Sequence, residues 1–232
     1  MRFYIQGNPI DLTSESIHQS FSNHNKKTSV HEKTVHEKTV HEKIMIFLHG
    51  LCANDLAWVN PAGIQPEEMA ETLGFTPVFL RYNSGRHIST NGREFSAQLE
   101  DLIKHWPVTP KEIVLVGYSM GGLISRSACY YAEQNAYSWR QLLTRLYCVA
   151  VPHHGSYLER GGHWIQRLIS ISPYSYPLSR LTAIRSAGIT DLRHGNVLDE
   201  DWEGVDRFQH NDDRRTPLPL PDNVSCYAMG GI

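Results

Sequence analysis

Val114-Leu-Val-Gly-Tyr-Ser-Met-Gly-Gly122 is the stretch on which the fold of this 232-residue chain turns. A run of β-branched and aliphatic residues leads into Gly117-Tyr-Ser-Met-Gly121, and a helical pattern, Leu123-Ile-Ser-Arg-Ser-Ala-Cys-Tyr-Tyr-Ala-Glu133, comes after it. The order is strand, sharp turn, helix, with Ser119 at the apex. Glycines two residues either side of the serine let strand and helix approach closely and push the hydroxyl out above the sheet edge. The start of the helix beneath it favours developing negative charge. Gly-x-Ser-x-Gly also occurs in ordinary strand-to-helix turns. Here the strand before it and the helix after it point to a nucleophile elbow.

The rest of the chain fits one α/β domain. Its length suits one sizeable core and not two. Hydrophobic residues make up 41% and charged residues 20%, an ordinary globular balance. A net charge of -2 gives no electrostatic reason to expect nucleic acid or an anionic membrane as partner. Cys52, Cys129, Cys148 and Cys226 contain no C-x-x-C pair, and three lie in or beside apolar segments, so free thiols are expected. No basic-then-apolar leader opens the sequence, and no apolar run reaches the roughly 20 residues of a membrane-spanning helix. The expectation is a cytoplasmic protein without an integral membrane segment.

Residues 1–43 differ in composition from the remainder of the chain. Polar residues dominate from Ser14, and Val-His-Glu-Lys-Thr occurs from Val30 and Val35, with Val-His-Glu-Lys again from Val40. On a helix these valines would rotate by about 140° per repeat, and on a strand they would alternate sides. No apolar face results, so the expectation for 1–43 is a disordered, low-complexity segment. His31, His36 and His41 within it have no fixed mutual geometry, and no metal site is expected.

From residue 44 the pattern is globular. Ile44–Leu48, Pro77–Tyr82, Glu112–Tyr118, Leu146–Val151 and Val224–Met229 read as strands. Helices are expected from Pro66 to Leu73 (with Gly74 after it), from an Asn91 N-cap to Trp106, after the elbow, and at Trp139–Leu143. Residues 155–221 are irregular and read as a cap or lid. Alternating strands and helices imply right-handed crossovers and a mainly parallel sheet with flanking helices. Leu51, Ser119, Met120, His153 and His154 all come after carboxyl ends of strands, where such sheets place their sites.

Acyl transfer through serine needs a nucleophile, a base and oxyanion donors. Ser119 supplies the first. The backbone N–H groups of Met120 and Leu51 are candidate donors, the latter from the His49-Gly-Leu loop, whose histidine is read as shaping the loop. Phe47-Leu-His-Gly-Leu51, Gly117-Tyr-Ser-Met-Gly-Gly122 and Val151-Pro-His-His-Gly-Ser156, in this order, resemble the α/β-hydrolase superfamily. The resemblance covers residues 44–232 and is to bacterial lipase/esterase-like proteins of the GPI inositol-deacylase-like group. It implies an α/β-hydrolase fold and hydrolysis of a small-molecule or lipid carboxylic ester through an acyl-enzyme, without cofactor or metal. Val151 and Tyr118 stand where the family often has threonine and histidine. The family's Gly-Asp-Gly segment, with the triad aspartate, and its later histidine would come after Met229, so the C-terminal strands are expected to be missing from a truncated chain.

Substitutes for the acid and base exist in the right order: Asp191 or Asp199, then His194 or His210, with His153 and His154 beside the elbow. Turn and capping roles are the competing reading for the aspartates, and a packing role for His154. Trp58, Arg86 and His87 are candidates to line the crevice mouth, with solvated loop residues as the simpler reading. The sequence leaves three readings: a serine ester hydrolase, a catalytically inactive hydrolase-fold protein or binding module, or another acyl transfer on the same elbow.

Overall fold

The computed structural model describes residues 1–5, 7–13, 15–17, 19, 40–58, 65–153, 186–204 and 215–230. Within them, β1 (Arg2–Ile5), β2 (Asn8–Ile10), β3 (Lys43–Leu48), β4 (Thr76–Arg81), β5 (Glu112–Tyr118), β6 (Leu143–Val149) and β7 (Ser225–Met229) form one sheet, ordered β2-β1-β4-β3-β5-β6-β7. Pairings from β4 through β7 are parallel. The β1–β2 hairpin joins antiparallel, with Phe3 opposite Leu80 on β4.

The central strands are apolar on both faces, as a parallel sheet covered on two sides requires. Alternation sorts them. Ile44, Ile46 and Leu48 of β3 face the larger core, with Phe95 and Leu99 of α2 (Ile88–Lys104) and Leu123 and Ile124 of α3 (Met120–Gln134). Met45 and Phe47 face the other way, with Phe79, Val114, Val116 and Ala70 of α1 (Pro66–Thr72). Each fully buried Phe or Leu contributes about 2 kcal/mol. The expected strands and helices are present, with a short α4 (Trp139–Leu142) leading into β6. Gly74 lies just past α1 with φ +75°, the left-handed conformation that ends the helix.

Three expectations need correction. Residues 1–43 are not uniformly disordered. Arg2–Ile10 build two strands, because Phe3, Ile5 and Ile10 precede the polar tract and are buried in the larger core. Ile17 is buried there too, and Val40 packs against it. The repeats between Val30 and Thr39 lie outside the described residues. Second, α2 starts at Ile88, three residues before Asn91, because the Asp191 carboxylate caps it from α5 (Ala187–His194), accepting from the Ile88 N–H at 2.8 Å. Third, β6 starts at Leu143 and ends at Val149, earlier at both ends than expected. The cap expected over 155–221 falls largely outside the described residues. Its described parts are α5, a short 3₁₀ turn at Asp199–Asp201 and the segment from Arg215.

Candidate active site

Tyr118 ends β5 and Met120 opens α3, leaving Ser119 as the single residue between strand and helix. Its backbone sits at φ 52°, ψ -118°. A non-glycine residue there carries on the order of 1–3 kcal/mol of strain, which the surroundings must hold in place. Two backbone hydrogen bonds help. Ser119 N–H donates to the Val149 carbonyl at 2.8 Å, and Gly122 N–H donates to the Ser119 carbonyl at 3.1 Å.

The glycines do the rest by having no side chain. A Cβ on Gly117 would stand 2.5 Å from Gly122 Cα, and one on Gly122 would stand 2.3 Å from Val151 Cγ2. The first turn of α3 therefore lies directly on β5 and on the chain leaving β6. Met120 is the first helical residue, so its N–H has no carbonyl one turn back to bond. The Ser119 hydroxyl is buried and has no hydrogen-bond partner among the described residues.

Facing the elbow is the loop after β3. A Cβ on Gly50 would lie 3.0 Å from the Tyr118 ring and 3.3 Å from Ser119 Cβ, so this loop touches the apex. His49 fixes its shape. Its ring is stacked on Tyr82, centroids 4.1 Å apart and 4° from parallel. Nε2 accepts from the Tyr82 N–H at 3.3 Å, which leaves the proton on Nδ1 to donate to the Gly50 carbonyl at 2.8 Å. The Tyr82 hydroxyl donates to the His49 carbonyl at 2.5 Å. Every polar atom of the imidazole is used in holding the loop.

Burial drives the His49 pKa down from its ordinary 6.5 to about 4, against the pull of the Gly50 carbonyl. A neutral ring is also what the Tyr82 N–H contact demands. The unfolded chain binds this proton below pH 6.5 and the folded chain only below about 4, so the contribution is present above 6.5 and is lost as pH falls through that window. The loss amounts to about 3 kcal/mol. Urea unfolding of the wild type and of His49→Gln between pH 7 and 4 checks this. The wild type is expected to lose more stability than the variant across the window, and equal slopes would contradict the assignment.

Other residues flagged in the sequence are committed elsewhere. Asp191 is fully buried; besides capping α2, its Oδ2 lies 3.0 Å from His87 Nδ1 and its Oδ1 accepts from Asn196 Nδ2 at 3.3 Å. Burial pushes its carboxyl above the ordinary range, and these donors hold it back. His87 is not at an open crevice mouth; it stacks on Trp202 at 3.7 Å. Asp199 pairs with Arg93 of α2 at 2.7 Å, and Arg86 pairs with Glu94. Trp58 stands edge-on to Tyr118 at 6.4 Å, so it does border the elbow. His153 Nδ1 accepts from Arg126 at 3.2 Å. His194 closes the last turn of α5. His154 and His210 lie outside the described residues.

A profile of the PGAP1-like alpha/beta domain matches residues 39–217, most of the chain, including the His-Gly-Leu loop and the elbow. The chain belongs to this family. Its fold is that of the α/β-hydrolase superfamily, with lipases, esterases and thioesterases among the solved structures of similar shape. The mature Bacillus licheniformis lipase BlEst2 is 24% identical, with a TM-score of 0.46, over 66% of this chain and 55% of that one. The chain spans 32% of the propeptide form of the same lipase. A variant of YbtT, a type II thioesterase of the yersiniabactin pathway, is 13% identical (TM-score 0.49) over 84% of this chain and 86% of its own. Phospholipase PlaB of Legionella pneumophila is 16% identical, with a TM-score of 0.47, over 83% of this chain and 39% of that one. No curated protein matches.

In this PGAP1-like domain two residues matter that the sequence did not single out. Tyr82 is the residue just beyond β4, and it clamps the His49 loop with ring, N–H and hydroxyl together. Its position at a strand's carboxyl end was the available signal. Arg126 lies two turns into α3 and holds both His153 and the Leu218 carbonyl. Only an arginine on a helix face otherwise made of small and apolar residues marked it.

Proposed function

We propose that the chain is a serine-dependent ester hydrolase of lipase or esterase type, with Ser119 as nucleophile. The observation that carries this is the strained backbone of Ser119 between β5 and α3, held by three glycines against the His49–Leu51 loop. Such strain persists only where surrounding packing imposes it, and it aims a hydroxyl outward from the turn. In this reading Ser119 Oγ attacks the ester carbonyl carbon, and the oxygen that gains negative charge is met by the N–H groups of Met120 and Leu51. Each donor of this kind contributes roughly 3 kcal/mol in the transition state. The alcohol leaves with the serine's proton, and water adds to the acyl carbon, releases the acid and returns a proton to Ser119 Oγ. The substrate is a small-molecule or lipid carboxylic ester, and the chemistry needs no cofactor.

A second reading is a hydrolase fold without turnover. It is favoured by the isolation of the Ser119 hydroxyl among the described residues, and by the engagement of Asp191, Asp199 and His153 with other partners. Mixing the purified chain with p-nitrophenyl butyrate separates the two. The hydrolase reading expects a burst of p-nitrophenol equal to the enzyme concentration, then steady release well above buffer. Release at the buffer rate throughout would overturn it and leave the second reading.

A further inference from the structure

Beside the elbow, and separate from it, a cavity of about 580 Å³ lies between Cys148 of β6, the middle of β7 (Cys226 to Ala228), the middle of α3 and the segment from Arg215 to Leu220. Ser119 is not among its lining residues, and among the described residues no aspartate or glutamate lines it. Its charged walls are the guanidinium groups of Arg126 and Arg215. The remainder is mostly apolar, contributed by Val197, Leu218, Leu220 and Ala228 among others. From these walls we propose that the cavity binds the anion of an aliphatic carboxylic acid, with the carboxylate on Arg126 and the chain against the apolar residues. The proposal goes beyond the reading of Ser119 and does not depend on that serine being reactive.

Arg126 carries the argument. One of its terminal nitrogens donates to His153 Nδ1 at 3.2 Å and the other to the Leu218 carbonyl at 2.5 Å, both uncharged acceptors. Its Nε–H is buried with no hydrogen-bond partner among the described residues. No carboxylate pairs with it among those residues. A guanidinium does not give up its proton in a protein, so a half-buried one that meets no carboxylate among the described residues gains by pairing with an anion. Burial holds the Arg126 pKa below its ordinary value, with Cys148 and Cys226 opposing that shift and Arg215 adding to it.

The segment over the cavity is tied down. The Leu218 carbonyl is held by Arg126, and the Thr216 N–H donates to Asp201 Oδ1 at 2.8 Å. The mouth is thus formed before a ligand binds. The volume is within the range of pockets that enclose small organic ligands. A guanidinium edge matches the planar geometry of a carboxylate. A small ion such as acetate would satisfy the arginine and leave the apolar wall wet. A neutral alcohol would cover the wall and leave the charge unmet. Only the combination uses both.

Calorimetric titration of the full chain, as wild type and as Ser119→Ala, with sodium octanoate, 1-octanol and sodium acetate tests this. Octanoate is expected to bind at least tenfold more tightly than either of the others, to both proteins alike. In Arg126→Met, which keeps an apolar stem, octanoate should weaken at least tenfold while octanol is unchanged. The unchanged octanol separates loss of charge recognition from collapse of the cavity. Should Arg126→Met fail to fold by circular dichroism, Arg215→Gln serves the same comparison. Equal binding of octanoate and octanol, no octanoate binding, or full octanoate affinity in the arginine variants would overturn the proposal. Because Ser119→Ala is included, failure here is distinct from failure of the hydrolase reading.

Discussion

Ser119→Ala is expected to lose all covalent labelling by a fluorophosphonate probe while folding as the wild type does. The substitution removes one oxygen and keeps the Cβ, so the packing of the elbow is unchanged. The departing hydroxyl makes no hydrogen bond among the described residues, so no bonded partner is left stranded there. Stability should stay within about 1 kcal/mol. Two serines on the helix after the elbow are the controls. Ser125 Oγ donates to the Gly121 carbonyl at 2.8 Å, and Ser127 Oγ donates to the Val197 carbonyl at 2.6 Å. Both hydroxyls are engaged within the fold, and Ser125→Ala and Ser127→Ala should keep the label. In-gel fluorescence of the four proteins decides the matter. Labelling of Ser119→Ala equal to wild type would end the nucleophile assignment.

Gly121→Ala should be among the most damaging single-methyl changes available in this chain. Its Cβ would stand 2.4 Å from the Leu48 carbonyl oxygen and 2.7 Å from that of His49. These are backbone atoms at the carboxyl end of β3, and no rotamer change can move them away. Either α3 lifts off the sheet or β3 shifts, and both disturb the loop that touches Ser119. The expected loss is about 3 kcal/mol or more. In a protein of this size that is a fall in Tm of roughly 6–12 °C. Gly230→Ala is the matched control, since nothing lies within 4 Å of its added methyl and its backbone needs no left-handed φ. Thermal unfolding of the two variants beside wild type provides the measurement. A Gly121→Ala melting point within a degree of wild type would show that the elbow is looser than its contacts imply.

Much of the fold could be read from the sequence because its central strands are short apolar runs closed by turn residues. Burial on both sheet faces leaves little else for Ile44–Leu48 or Glu112–Tyr118 to be. The N-terminal hairpin was hidden by its neighbours: four residues such as Arg2–Ile5 carry little periodicity, and a long polar tract comes after them. The start of α2 was illegible for a different reason. Its cap is the carboxylate of Asp191, 103 residues further along the chain from Ile88. The same residue shows the limit for the site. An aspartate after a nucleophilic serine has the right chain order for a triad, yet order does not reveal that its oxygens are needed to join α5 to α2. His49 went the other way, because a histidine before the glycine of a tight loop has few plausible tasks besides shaping it.

The hairpin at the start of the chain has one more implication. β1 and β4 pair although they are joined only through the residues between them in the chain, so their pairing is an association held together by a covalent tether. Its equilibrium is set by the local concentration that the tether maintains, which falls only slowly as the tether lengthens. Cutting the chain within the His-Glu-Lys repeats would turn a concentration-independent association into one that dilution can reverse.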